Sequence, residues 1–230
     1  MGYTRDQLSL CAGATIPDLI GRSCRLLFVG INPGLQTAMT GIHFAHPSNR
    51  FWPALRRAGL IDWVPDVSPT APSVAIEGHD PTGTETVPRQ ASPRYPALRG
   101  RRLRPSGDVD DTGMTGGQRE DLIAKGIGIT NLVRRATVRA SELSEEELRA
   151  GGERLTAVVE EVGPRVVAVA GATAYRDAFG DKRAALGLQP VALGPARLWV
   201  VPNPSGLNAH ETIDSLASWY RRVADEAGVS

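Results

Sequence analysis

RVVAVAG, residues 165–171, decides the fold. The run is almost wholly β-branched or small and apolar, with no polar face, which is the pattern of a strand buried on both sides. Such strands sit in parallel sheets covered on each face by helices, so helical patterns should flank this one. Upstream, Ser144-Glu145-Glu146-Glu147 is a capping-box sequence; it opens a helix to about Val162, in spite of Gly151 and Gly152. Downstream, a short helix is expected from Ala172, then LWVVPNPSG (198–206) as a buried strand running into a Pro/Gly turn. His210 to Ala227 follows as an amphipathic helix with Ile213, Leu216, Trp219, Tyr220 and Val223 inward.

Farther out, RLLFVG (25–30) and GIGITNLV (126–133) are two more strand candidates. In NRFWPALRRAG (49–59), Phe51, Trp52, Leu55 and Ala58 recur at helical spacing, with Gly59 as a stop signal. Pro53 fits such a helix only in its first turn. Strands thus alternate with helices. The pattern predicts an α/β protein, a three-layer α/β/α sandwich around a short, mostly parallel central sheet. Ligands of such sheets sit just beyond the carboxyl ends of the strands.

From Val64 to Gln118 the pattern lapses into Pro-, Gly-, Ser- and Thr-rich segments with few large apolar residues. Such a composition buries too little surface to offset the entropy of ordering. Residues 64–118 are therefore expected to be a flexible insertion inside a single domain spanning 1–230. The RGRRLR cluster (Arg99, Arg101, Arg102, Arg104) is either a DNA-grazing arm or part of a segment without chemistry.

Composition narrows the function classes. The chain has 230 residues and is 41% hydrophobic, enough for one core, with a formal charge of +1. That balance is weak evidence for nucleic-acid binding, where a basic domain is usual. No apolar run approaches the roughly 18–20 residues that span a bilayer, and MGYTRDQLSL has no signal-peptide pattern. A soluble, cytoplasmic protein is expected, with no membrane association. Cys11 and Cys24 form no CxxC pair and have no histidines at ligand spacing. Neither a metal nor an iron–sulfur cluster is expected, and no cofactor. Phosphate loops of the G-x-x-x-x-G-K-[ST] and G-x-G-x-x-G types are absent from the sequence.

Two loops follow strands and carry candidate chemistry. Gly30-Ile31-Asn32-Pro33-Gly34-Leu35 lets backbone approach a ligand and displays the neutral amide of Asn32. Pro202-Asn203-Pro204-Ser205-Gly206-Leu207-Asn208 displays small polar groups and then an apolar leucine. Each alone is a common turn.

Together they are specific. GINPGL, TG-x-x-FAHPSNRFW, GITNLV, LRAGG and VPNPSGL stand in this order, over about residues 17–63 and 119–225. This array resembles the mismatch-specific uracil-DNA glycosylase and thymine-DNA glycosylase family, within the uracil-DNA glycosylase superfamily. The resemblance implies a uracil-DNA glycosylase-like fold and a monomer that acts on double-stranded DNA carrying a mismatched or damaged base. The enzyme would flip the base into a pocket and cut its N-glycosidic bond with water, starting base excision repair. By the same resemblance, Asn32 holds the attacking water. Phe44 stacks on the base, and backbone of Ile31 and Phe44 reads its Watson–Crick edge. Asn131 matches the thymine-type branch and adds no carboxylate to activate water. Thr37 is placed to crowd a thymine 5-methyl group. His43 contacts the base or a phosphate, or else is a solvated loop histidine, while His46 braces its loop. Gly206-Leu207-Asn208 would be a wedge: Leu207 fills the vacated stack, and backbone of Gly206 and Asn208 pairs with the orphaned guanine. Asn203 and Ser205 bind a flanking phosphate or position the loop.

Substrate hints pull apart. Thr37 favours uracil opposite guanine over thymine, and ethenocytosine, xanthine and hypoxanthine stay open. An Asn32→Asp change tests the amide's role: higher turnover without lower substrate affinity would mean that water activation limits the rate. Bifunctional glycosylases need an amine for a Schiff base, and the only lysines, Lys125 and Lys182, lie outside every motif. The enzyme is therefore expected to be monofunctional. The rival reading is a non-catalytic DNA-binding protein on the same scaffold.

Overall fold

The computed structural model describes residues 3–68 and 114–230. The RGRRLR cluster, and all of 69–113, lies outside the described residues. Five strands form one sheet: β1 (Leu26–Gly30), β2 (Ile127–Asn131), β3 (Val166–Ala170), β4 (Gly187–Leu193) and β5 (Ala196–Val201). The order is β2-β1-β3-β5-β4. β2, β1, β3 and β5 run parallel and β4 is antiparallel to β5. This is the mostly parallel sheet read from the sequence.

Among the described residues, seven α-helices surround it: α1 (Arg5–Ser9), α2 (Leu35–Thr40), α3 (Phe51–Arg57), α4 (Gly116–Ala124), α5 (Glu145–Val162), α6 (Ala172–Phe179) and α7 (Ile213–Ala227). Alternation along the strands builds two cores. Leu26 and Phe28 of β1 face one side, with Trp52 and Leu55 of α3, Leu122 of α4 and Tyr220 of α7. Leu27 and Val29 face the other, with Leu155 of α5 and Tyr175 of α6. Successive side chains of a strand point to opposite faces, so a five-residue, fully buried strand needs a helical layer on each.

Pro53 stands in the first turn of α3 and Gly59 follows its end at φ 71°. The glycine pair inside α5 has a packing reason. A Cβ on Gly151 would lie 2.5 Å from the Leu132 carbonyl, and one on Gly152 would lie 2.7 Å from that of Ala178. These glycines cost about 1 kcal/mol each against alanine, offset by the close approach of α5 to the β2 loop and to α6. That approach brings Arg154 of α5 onto the Asn131 carbonyl.

Two expectations are corrected. Ile213, expected inward, opens α7 and is 40% exposed, because the helix begins after the Thr212 cap rather than at His210. The segment 64–118 is not irregular to its ends: Thr115 caps α4, whose first turn takes in residues 116–118, and Met114 and Val67 pack into the first core. No helix among the described residues is long and apolar enough to cross a membrane.

Candidate active site

Parallel register brings the ends of β1 and β2 together at Gly30 and Asn131, and those of β3 and β5 at Ala170 and Val201. Both motif loops therefore leave the same edge of the sheet, at the position expected for a ligand.

Asn32 is held through its amide nitrogen. Nδ2 donates to Thr137 Oγ1 at 2.7 Å and to the carbonyls of Arg135 and Pro33 at 3.1 Å each. The Thr137 hydroxyl in turn donates to the Arg139 carbonyl at 2.8 Å, so its lone pair must face Asn32. This chain fixes the flip of the amide and leaves Oδ1 as an open acceptor. Thr137 went unnoticed in the sequence because it lies 105 positions from Asn32 and belongs to no motif.

Phe44 is the one non-glycine residue with positive φ among the described residues, at 57°. A bulky side chain there costs on the order of 1–3 kcal/mol, and such strain collects at functional sites. Its ring stacks on Phe51 at 4.1 Å and 23°. A Cβ on Gly30 would meet that ring at 3.1 Å and Asn131 Oδ1 at 2.5 Å. Gly30, Phe44 and Asn131 therefore form one tight cluster in which only glycine fits at the strand end. The Ile31 carbonyl already accepts from the Val133 N–H at 2.9 Å, which leaves the Ile31 N–H as its open group.

His43 is 3% exposed. Its ring is neither solvated nor open to a phosphate. Nε2 lies 3.2 Å from the Pro17 carbonyl and Nδ1 lies 3.4 Å from Asn131 Nδ2. Burial pushes its pKa down to about 4 against the pull of Asp18, with Arg119 adding to the depression. The neutral ring therefore donates from Nε2 and accepts at Nδ1, and its nearest link to the pocket is Asn131. Thr37, 4% exposed, accepts the Ala45 N–H at 3.2 Å and so ties α2 to the residue directly after Phe44. His46 Nδ1 holds Ser48, as expected of a loop brace.

The second loop is ordered by its own polar groups. Asn203 Oδ1 accepts the Ser205 N–H at 3.0 Å, and Asn208 Nδ2 donates to the Asn203 carbonyl at 3.0 Å. Ser205 Oγ takes the Leu207 N–H at 3.3 Å. Leu207 stands at the tip, 93% exposed, more than any other large apolar side chain among the described residues. The Asn208 N–H is engaged by the Ser205 carbonyl at 3.0 Å.

Arg50 joins the two regions. Its N–H donates to the Pro204 carbonyl at 2.9 Å. Its guanidinium donates to the carbonyls of Ser205 at 2.5 Å, Asn208 at 2.7 Å and Glu211. The sequence offered no sign of this, since Arg50 lies about 155 positions from the loop it holds.

A cleft of about 340 Å³ opens on the other flank of the β1 loop, lined by Ile31, Gly171, Ala172, Thr173, Pro202 and Asn203 among others. It shares Ile31 with the Asn32 site but not Asn32, Phe44 or Asn131. Gly171, which precedes α6 at φ 107°, provides no side-chain cap, so the first turn of that helix has open N–H groups.

A family model described as Uracil DNA glycosylase superfamily matches residues 17–225, which runs from before β1 through most of α7 and takes in both motif loops.

Proposed function

The chain belongs to the uracil DNA glycosylase superfamily, DNA-binding hydrolases of the base–sugar N-glycosidic bond, and from that premise we propose a monofunctional, mismatch-directed enzyme that excises uracil from G·U pairs in duplex DNA. The observation that carries this reading is Leu207. An apolar side chain 93% exposed on a hydrogen-bonded turn contributes little to the fold. Its role is that of a wedge, filling the stack that a flipped base leaves.

The chemistry follows from the first loop. The flipped base enters beside Phe44, whose ring is backed by Phe51. The Ile31 N–H and the Asn131 amide border the base edge and stabilise the negative charge that develops as the base departs. Asn32 Oδ1 accepts a hydrogen from water and aims its oxygen at C1′ of an oxocarbenium-like sugar. An amide is no general base, so the gain is one of placement, and turnover is slow. The bond from C1′ to the base nitrogen breaks, water adds to C1′, and its proton leaves to solvent. An abasic site and free base remain.

The anchoring of Asn32 changes one expectation. A carboxylate in its place would face the Pro33 and Arg135 carbonyls that Nδ2 now serves. Asn32→Asp therefore breaks its own anchorage, and Asn32→Ala is the cleaner probe.

Lyase activity is not expected. Lys125 precedes β2, at the edge of the sheet opposite the loops, and pairs with Asp121 at 2.6 Å. Lys182 follows α6, which runs back from the loop edge, and pairs with Asp177 at 2.8 Å. A strand of five residues spans about 17 Å and a helix of eight about 12 Å, which sets both amines well back from C1′. Beside Asn203, the first turn of α6 suits a flanking phosphate.

The test is base release from duplexes carrying uracil, thymine, ethenocytosine, xanthine or hypoxanthine opposite guanine. Uracil should leave fastest. Faster release of thymine would overturn the ranking, and borohydride trapping of a protein–DNA adduct would overturn the monofunctional assignment.

A further inference from the structure

We propose that Arg50 is the positioning residue of the wedge: it sets the 203–211 loop into its DNA-entering shape before DNA arrives. The proposal rests on the glycosylase reading and extends it to a residue outside both loop motifs.

The case is geometric. Four contacts from one residue reach carbonyls spread over eight positions of the loop: Pro204 from the Arg50 backbone, and Ser205, Asn208 and Glu211 from its guanidinium. No segment of regular structure runs through the loop between β5 and α7, so these contacts replace the ladder that would otherwise order it. The loop also rests directly on the segment that carries Arg50. A Cβ on Gly206 would lie 2.3 Å from Ser48 Oγ and 2.7 Å from the Ser48 carbonyl. Leu207 is thus held from below by Gly206 on Ser48 and from both sides by Arg50.

The brace also sorts the backbone groups left for the opposite strand. Arg50 draws the Ser205 and Asn208 carbonyls inward, and the Asn208 N–H is turned onto Ser205. Gly206 takes part in none of the loop's hydrogen bonds. Its N–H and carbonyl are therefore left available to the opposite strand, which the Asn208 N–H is not.

Lysine cannot replace this arginine. A guanidinium presents several donors in a fixed fork, whereas an ammonium is one point charge on a flexible stem. Arg50→Lys keeps the charge and loses the span.

The experiment is a double-mutant cycle of Arg50→Lys and Leu207→Ala, read by single-turnover release of uracil from a G·U duplex. Amide hydrogen exchange of residues 205–211 in the free protein is measured alongside, and melting temperature checks the fold. Arg50→Lys alone should exchange faster in 205–211 and release uracil about tenfold more slowly, the scale of coupling within one hydrogen-bond network. In the Leu207→Ala background the same change should cost less than about twofold, since there is no wedge left to place. Unchanged exchange, or an equal loss in both backgrounds, overturns the proposal. If the wild type binds G·U duplex and releases no base, the glycosylase reading fails on its own. The cycle is then read in duplex affinity, where additive effects overturn the brace and non-additive effects uphold it.

Discussion

In the pocket region polar side chains are buried or half-buried and most of their polar atoms are answered. Asn32 gives its amide hydrogens to three acceptors, Thr37 takes a backbone N–H, and His43 and Asn131 face each other at 3% and 5% exposure. In the loop at 203–211 the important side chain is apolar and points into solvent, and order comes from backbone carbonyls gathered by Arg50. Each region inverts the usual rule of polar outside and apolar inside. The first inversion fixes the orientation of the polar groups around the pocket. The second leaves apolar surface in solvent, which the proposed wedge would bury against DNA. Mutations in the two regions should therefore fail in different measurements.

The largest separation is expected from Asn32→Ala. Loss of one positioned polar group at the reacting centre should slow single-turnover uracil release by about a hundredfold or more, with G·U duplex affinity nearly unchanged. Equal losses in rate and affinity would mean that Asn32 binds rather than positions.

Acid should expose the pocket's other feature. His43 titrates at about 4 in the folded chain and near 6.5 when unfolded. Between those values the unfolded state binds more protons, so stability falls as pH drops from about 6.5 to about 4, and then levels. The contribution is on the order of 3 kcal/mol. Asp18 and Arg119 are the charged groups that act on the ring. Urea unfolding at pH 7 and pH 4.5 should show the loss, and His43→Phe should remove most of that difference; an unchanged difference would place the acid sensitivity elsewhere.

Leu207→Ala should act in the opposite sense. Burying a leucine is worth about 1.5–3 kcal/mol, so weaker duplex engagement and about tenfold slower release are expected. A side chain so exposed contributes little to folding, so stability should move by less than about 0.5 kcal/mol. A clear drop in melting temperature would show that the leucine packs in the free protein after all.

The smallest effect concerns substrate choice. Thr37→Ser keeps the hydroxyl that holds Ala45 and removes only a methyl group, worth about 0.8 kcal/mol, so thymine release should rise about fourfold relative to uracil. An unaltered ratio would move the discrimination away from Thr37.

Legibility followed the same divide. β1, β2, β3 and β5 are written as apolar runs because both faces of each are buried. β4 was not seen. It is an edge strand with Pro190, mostly exposed residues and an irregular register between Leu188 and Ala192, and edges tolerate what central strands do not. α4 was hidden by its Gly116-Gly117 start next to a polar stretch. At the site, the residues displayed by the two strand-end loops are readable, while Thr137, outside every motif, and Arg50, inside one but with no visible role, are not. Their function lies in contacts to segments more than 100 positions away, and no local pattern encodes such a meeting. The burial of His43 is not legible for a related reason: the sequence leaves it between a base or phosphate contact and a solvated loop position, and only the fold closes over its ring.

The most direct test is single-turnover cleavage of a labelled duplex with one G·U pair, run with wild type and Asn32→Ala, alkali being used to break any abasic site. The expected result is alkali-labile product from the wild type and at most about a hundredth of its rate from the variant. No product from the wild type, on uracil or on the wider set of lesions, would contradict the account and leave a DNA-binding protein on a glycosylase scaffold.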